Sequence, residues 1–394
     1  MVVLTAQGAA RARTGHPWVW DGEVARAEAA TPAGDVVPVA DPAGRLLGWG
    51  FWSPASRARL RWLGGPDPAL DSPAAVRAWL TGRLRAALDM RAGLGLGEAA
   101  RQVFGESDGL PGLVVDRYAG VCVVQCLGAG MDRLRDDIVA VLTDLLAPAA
   151  IVERSDTGGR EREGLPPVRR VLAGALPPDG LVPFRAGGLA LTADVLEGQK
   201  TGFYLDQRDA WTALAPLAAG RRVLDACCYT GVFGLACLAA GATELTGVDD
   251  SARALTRAAA HAAANGLASR ARFVRGDAGG VLEGLAAAGD RFGFLIVDPS
   301  AYAKTKAHRT VAQRAYAALN AAALAVAGPG ALLYACSCTT WVARAELVDA
   351  VSGAARRAGR EARLLEVRGA SRDHPVHPLM PETAYLTGTL WYLV

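Results

Sequence analysis

From Arg222 onward the apolar positions of the chain alternate between two periods. In RVLDACCYTGVFGLACLAAGATELTGVD, Arg222 to Asp249, Val223 and Leu224 predict a short buried strand. The small apolar run entered at Gly231-Val-Phe-Gly234 predicts a helix ending at Gly241, and Thr243–Val248 a second strand closing on Asp249. The pattern then predicts helix 251–265, strand 272–276 before Asp277, helix 280–287, and strand Phe292–Val297 before Asp298. Helix 309–327, strand 331–335, helix 343–357, strand 364–367 and a last strand 386–394 follow. Such alternation predicts an α/β fold with a parallel, doubly wound sheet and right-handed crossovers.

The first half reads differently. Segments 36–40, 46–51 and 57–63 are strand-like and broken by Asp41-Pro-Ala-Gly44 and Ser53-Pro-Ala-Ser56, the spacing of a small β-barrel or sandwich. The aromatic run His16-Pro-Trp-Val-Trp20 reads as core packing. Prolines at 66, 68 and 73 mark a boundary, after which a helix over 74–93 and strands at 101–104, 112–115, 121–127 and 150–154 surround a second helix, 131–146. This is an α+β module without a catalytic constellation. Glu106 and Asp108 read there as turn formers, and 155–165 as a mobile linker. Gly187–Asp194 and Gly198–Tyr204 read as a hairpin-like pair. The domains expected are therefore 1–70, 71–180 and 181–394.

At 394 residues the chain is long enough for two or three domains of about 150 residues each. With 51% of its residues apolar, the chain is expected to be a soluble globular protein with ample core and no membrane span. The apolar part of the N-terminus is too short for a signal peptide. Seven cysteines without paired spacing point to a reducing, cytoplasmic compartment, and Cys336-Ser-Cys338 is no zinc pattern, so no metal is expected. The net charge of +3 argues little for nucleic acid. Local bias is stronger: Arg57, Arg59 and Arg61 alternate, and Lys304, Lys306, His308, Arg309 and Arg314 crowd a stretch without acids. Each cluster reads equally well as a solvated face.

The turn from Ala226 to Gly231 lacks the first two glycines of G-x-G-x-x-G, which a dinucleotide's pyrophosphate requires. S-adenosylmethionine has no phosphate and asks for one close glycine and a carboxylate for its ribose, so it is favoured over NAD, with a nucleotide-free core as the plain alternative. Four successive strands end in Asp225, Asp249, Asp277 and Asp298. Any one of these could simply cap a helix, but their recurrence places four carboxylates on one rim. Asp249 suits the ribose and Asp277 the adenine amine. Phe203, Asp206, Gln207, Arg208, Tyr229, Thr230, Gly231, Phe233 and Ser251 complete the predicted donor pocket, with Asp225 and Asp298 at its edge. Pro299, Ser300, Tyr302, Lys304, Lys306 and Arg309 are the predicted acceptor side.

Cys336 and Cys338 end the next strand beside Asp298, while Cys122, Cys126, Cys227, Cys228 and Cys237 read as small core hydrophobes. A thiolate at that rim could add to carbon 6 of a pyrimidine and make carbon 5 nucleophilic enough to take a methyl group. Cys338, further out than Cys336, is the better placed of the two.

The segments His16-Pro-Trp-Val-Trp20, Ser53-Pro-Ala-Ser56, Glu106-Ser-Asp-Gly-Leu-Pro-Gly-Leu-Val-Val-Asp-Arg-Tyr118, Gly198-Gln-Lys-Thr-Gly-Phe-Tyr-Leu-Asp-Gln-Arg208, Tyr229-Thr-Gly231, Ser337-Cys-Thr339 and Asp373-His-Pro-Val-His-Pro378 carry a resemblance. Over nearly its full length the chain resembles the RlmI-type ribosomal RNA large-subunit cytosine-5 methyltransferases. The resemblance implies an N-terminal PUA β-barrel that binds RNA, a small central α+β domain and a class I Rossmann-like methyltransferase domain. It also implies a homodimer, ribosomal RNA as partner, and Cys338 as nucleophile with Asp298 beside it. Two positions depart from the family pattern: Asp298-Pro-Ser300 stands for Asp-Pro-Pro, and Ser337-Cys-Thr339 for Ser-Cys-Ser. His374 and His377 read as packing near the sheet edge. The competing functions are methylation of an exocyclic amine or a small molecule, with Asp298 and Tyr302 orienting it, and RNA binding without catalysis.

Overall fold

The computed structural model describes residues 1–303 and 305–394, without the side chain of Lys306. Lys304, expected on the acceptor side, therefore lies outside the described residues, as does the Lys306 side chain. Two compact units are present, one of residues 186–191, 206–371 and 384–394, the other of residues 1–185, 192–205 and 372–383.

The first of these is built on seven strands: β1 (Arg222–Ala226), β2 (Glu244–Asp249), β3 (Ala271–Arg275), β4 (Phe292–Val297), β5 (Ala327–Ser337), β6 (Ala362–Arg368) and β7 (Thr387–Leu393). Their order in the sheet is β3-β2-β1-β4-β5-β7-β6. Neighbours from β3 to β5 are parallel, and β7 runs antiparallel to both β5 and β6. The wholly parallel sheet expected from the alternation is thus corrected at its edge. No α-helix separates β6 from β7, and a parallel return would need such a crossover. β4 is buried on both faces and reads as an unbroken apolar run. The strand order reverses between β1 and β4, which opens a crevice outside the carboxyl ends of the strands. Ser251 caps the helix Ala252–Ala264 by accepting from Ala254 N, and Asp277 caps Ala278–Ala287 by accepting from Gly280 N.

The second unit holds a six-stranded barrel-like sheet, with strands in the order Trp18–Val19, Leu60–Gly64, Leu46–Trp52, Val36–Ala40, Val2–Leu4 and Val24–Ala27. It also holds a five-stranded sheet ordered Val168–Gly174, Ala150–Ser155, Val121–Cys126, Leu113–Tyr118, Ala99–Phe104. The helix Pro73–Gly93 begins with Ser72 as N-cap and proline in its first turn, and lays Val76, Leu80, Leu84 and Leu88 on the core.

Four expectations for this half change. Arg61 is not part of a free basic face: its guanidinium lies 3.1 Å from Glu106 and 2.6 Å from Glu163. Residues 155–165 are not a plain linker. Arg160 is buried, bonds Pro166 O at 2.7 Å and pairs with Asp132 at 2.8 Å. Gly198–Tyr204 forms turns rather than a strand, and Leu189–Asp194 pairs instead with Leu181–Ala186. Asp108 is more than a turn former, because Arg91 grips both of its oxygens. The expectation that His374 packs near a sheet edge is met within this unit, where it lies 2.9 Å from Asp373 and 5.3 Å from the Phe104 ring on the end strand of the five-stranded sheet.

Candidate active site

The donor side is shaped by the turn between β1 and the helix Val232–Ala239. Cys227 and Tyr229 hold left-handed backbones at φ +64° and +47°, and Gly231 at +74°. A left-handed non-glycine residue costs on the order of 1–2 kcal/mol, so this turn is held open by its surroundings. Cys228 N donates to Val248 O, Gly231 N to Cys228 O, and Tyr229 N to Asp249 Oδ2 at 2.8 Å. The other oxygen of Asp249 accepts from Ser251 N at 3.0 Å. A Cβ on Gly231 would come within 3.0 Å of the Phe273 ring and 3.1 Å of Ala258. Thr230 is buried, and its carbonyl faces His261 Nδ1 at 3.1 Å. Phe233 is buried under the turn, 5.5 Å from the Tyr334 ring.

Asp225 ends β1 inside the protein and accepts from Gly234 N at 2.9 Å. Burial, with the nearby carboxylates of Asp298 and Asp249, pushes its acid up to about 8 from a usual 3.8. At neutral pH it carries a proton when folded and loses it when unfolded. Its contribution is therefore largest below about pH 4 and declines as pH rises toward 8. Asp225→Asn keeps the shape and the acceptor. The variant is expected to lose less thermal stability than the parent between pH 5 and 8, as midpoints measured across that range will show.

Residues 206–208 hold the rim together. The Asp206 carbonyl accepts from Ser371 N and Oγ at 2.7 and 2.8 Å, and its carboxylate from Tyr385 Oη at 2.5 Å. Gln207 donates through its amide to Asp298 Oδ2 at 2.9 Å and to Cys336 Sγ at 3.4 Å. Arg208 opens the helix Arg208–Leu214 and is buried. Phe203 belongs to the other unit, where it packs edge-on to Phe184 with centroids 5.1 Å apart.

On the acceptor side the loops after β4 and β5 are stitched together. Thr339 Oγ1 donates to Ala303 O at 2.7 Å and accepts from Trp341 N at 3.2 Å. Cys338 is partly exposed, its Sγ 3.6 Å from Pro299 O, whereas Cys336 is wholly buried and its thiol is pushed well above the usual range. Tyr302 stacks edge-on to Tyr316 at 4.9 Å, and burial raises its phenol to about 12. Ser300 is exposed beside buried Pro299. Arg309 pairs with Glu346 at 2.8 Å. Trp341 escaped the sequence reading although it is 42% exposed beside the cysteine; an aromatic three residues past Cys338 was the available signal.

The donor set contains one φ-positive glycine, a carboxylate at the end of β2 and no phosphate-binding glycine pair, which fits a sulfonium nucleoside. A PUA-like domain model matches residues 2–64, and an S-adenosylmethionine-dependent methyltransferase model matches residues 182–365. Sheet order, donor turn and these matches define an S-adenosylmethionine-dependent methyltransferase joined to a PUA-like domain. The ribosomal RNA large subunit methyltransferase I of Aeromonas hydrophila is 38% identical over 95% of this chain and 94% of its own length. That of Escherichia coli is 35% identical, covering 95% and 94%. The chain belongs to this family, and it is an S-adenosylmethionine-dependent methyltransferase of large-subunit ribosomal RNA. In fold it resembles a SAM-dependent methyltransferase from Streptococcus mutans, with TM-score 0.82, 18% identity and full coverage of both chains. It also resembles a methyltransferase complexed with SAH, with TM-score 0.84, 18% identity and 99% of each chain covered. Among the described residues no helix is long and apolar enough to cross a membrane, and no group of acids, histidines and cysteines is arranged to hold a metal.

Proposed function

We propose that the product is 5-methylcytosine and that Cys338 forms a transient covalent bond to the base. The observation that carries this is the contrast between two cysteines of one strand end: Cys338 is partly exposed beside the Pro299 carbonyl, while Cys336 is sealed in the core. The Cys338 thiolate adds to carbon 6 of cytosine, forming a C–S bond and leaving carbon 5 enamine-like. Bound S-adenosylmethionine supplies the methyl group on a sulfonium. Transfer leaves the donor as a neutral thioether; water then takes the proton from carbon 5, which expels the thiolate and restores the ring. Asp298, held by Gln207, offers a carboxyl oxygen to the N4 amine, which favours cytosine over uracil. Asp249 would hold the ribose, and the Tyr229–Gly231 turn would line the donor.

In this proposal residues 1–70 and 71–180 form a PUA barrel and a central domain that engage RNA, and 181–394 carry out transfer. The enzyme works as a cytoplasmic homodimer; seven cysteines without a disulfide fit a reducing compartment, and analytical ultracentrifugation tests the dimer. To test the product, purified protein is incubated with unmodified large-subunit ribosomal RNA and labelled donor, and the RNA is digested for nucleoside mass spectrometry. Label in 5-methylcytidine is expected. Label in N4-methylcytidine, or in another base, overturns the assignment.

A further inference from the structure

Three segments rich in polar and aromatic groups have no role in the methyl transfer proposed above: His16 to Trp20, Glu106 to Pro111, and Asp373 to Pro378. All three lie in the unit of residues 1–185, 192–205 and 372–383, and there they contribute to one cavity of about 420 Å³. Its walls include Pro17, Trp62, Arg83, Glu106, Ser107 and His377. That volume is in the range of small-ligand sites.

The polar groups in these walls are only partly spoken for. Glu106 accepts from Trp18 Nε1 at 2.8 Å and from Arg61 at 3.1 Å, both through Oε1, which leaves Oε2 as a charged acceptor. The Ser107 hydroxyl is buried without a hydrogen-bond partner. His377 Nδ1 accepts from Leu379 N at 3.1 Å, so the ring proton sits on Nε2 as a donor. Arg83 makes no ion pair among the described residues, and its guanidinium lies so close over Gly109 that a Cβ there would be 3.2 Å from Nη1. Trp62 adds a half-buried indole. One cation, one aromatic surface, one carboxylate oxygen and two small donors form an unusual set. A sugar would not need the cation, and an inorganic anion would be repelled by Glu106. A nucleotide uses all of them: phosphate at the guanidinium, base on the indole, exocyclic amine at the carboxylate.

We propose that this cavity binds a single unpaired nucleotide of the RNA substrate, preferring a base with an exocyclic amine to uracil. The inference rests on the RNA substrate class and concerns a second site, separate from the one that reads the methylated base. It anchors the RNA by a nucleotide that is never modified.

The test uses the full-length protein with fluorescein-labelled hexaadenosine and hexauridine RNA, whose affinities are read by fluorescence anisotropy at one fixed salt concentration. Adenine carries the amine but offers no cytosine to the methyl-transfer site, so the result does not depend on the product assignment. The parent is expected to prefer hexaadenosine. Ala86 is an exposed residue of the Pro73–Gly93 helix in the cavity wall, and Ala86→Trp fills the space without disturbing the core. This variant should bind hexaadenosine about tenfold more weakly and lose the preference. Arg83→Gln should weaken both RNAs alike. Calorimetric affinity for S-adenosylmethionine and the thermal midpoint of each variant should match the parent, which excludes misfolding. A parent without base preference, or an Ala86→Trp variant that binds both RNAs as the parent does, overturns the proposal.

Discussion

Cys338→Ala is expected to abolish methyl transfer to large-subunit ribosomal RNA, with a fall in kcat of at least about 10³-fold, while leaving S-adenosylmethionine affinity unchanged. The reason is chemical: carbon 5 of cytosine is too weak a nucleophile without prior addition at carbon 6, and the Cys338 sulfur is nucleophilic and partly exposed, whereas Cys227, the other partly exposed cysteine of this rim, has its thiol pushed up to about 12 by burial and by Asp249. Cys336→Ala is the matched control. Its sulfur is wholly buried and its thiol is pushed well above the usual range by burial and by Asp298. Losing one buried heavy atom there should cost about 1 kcal/mol of stability and less than about tenfold in rate. A second readout separates chemistry from folding: RNA carrying 5-azacytidine should trap the parent and the Cys336 variant as covalent adducts resistant to denaturing gels, but not the Cys338 variant. Activity surviving Cys338→Ala would return the enzyme to direct methylation of an amine, with Asp298 and Tyr302 as orienting groups.

What the chain reveals without its structure follows from the range of the interactions. Strand ends at Asp249 and Asp298, and the helix caps Ser251 and Asp277, are written in a few adjacent residues, so period and capping chemistry suffice to find them. The antiparallel β7 is not, because its direction depends on where a long connection returns and not on its own apolar pattern. Charges mislead for the same reason. Arg61 looks like one of an alternating basic row, yet its partners lie 45 and 102 residues away. Gln207 shows the limit most clearly. Nothing local to it says that its amide will bridge the carboxylate after β4 and the buried sulfur at the end of β5, 91 and 129 residues further on.

The largest stability loss is expected from a residue far from any chemistry. Arg91→Ala should lower unfolding free energy by about 3–5 kcal/mol, measured as a shift in the urea transition. The Arg91 side chain is 1% exposed and pairs with Asp108, itself 6% exposed, at 2.6 and 2.8 Å. It also donates to Arg101 O at 3.0 Å and Asp373 O at 2.9 Å. Asp373 in turn accepts from Arg101 N at 2.8 Å, so one guanidinium and one carboxylate tie residues 372–383 to the strand Ala99–Phe104. Alanine would strand a buried carboxylate with Phe104 N as its remaining donor in the group and take one donor from each of two carbonyls. The penalty is thus chiefly that of an unpaired charge, not of a lost attraction. It follows that Arg91→Met combined with Asp108→Asn should cost much less than the sum of the single changes, because the second substitution removes the charge that the first leaves buried. Strict additivity of the two would show that Asp108 regains solvent in the single variant, and that the pair contributes packing alone.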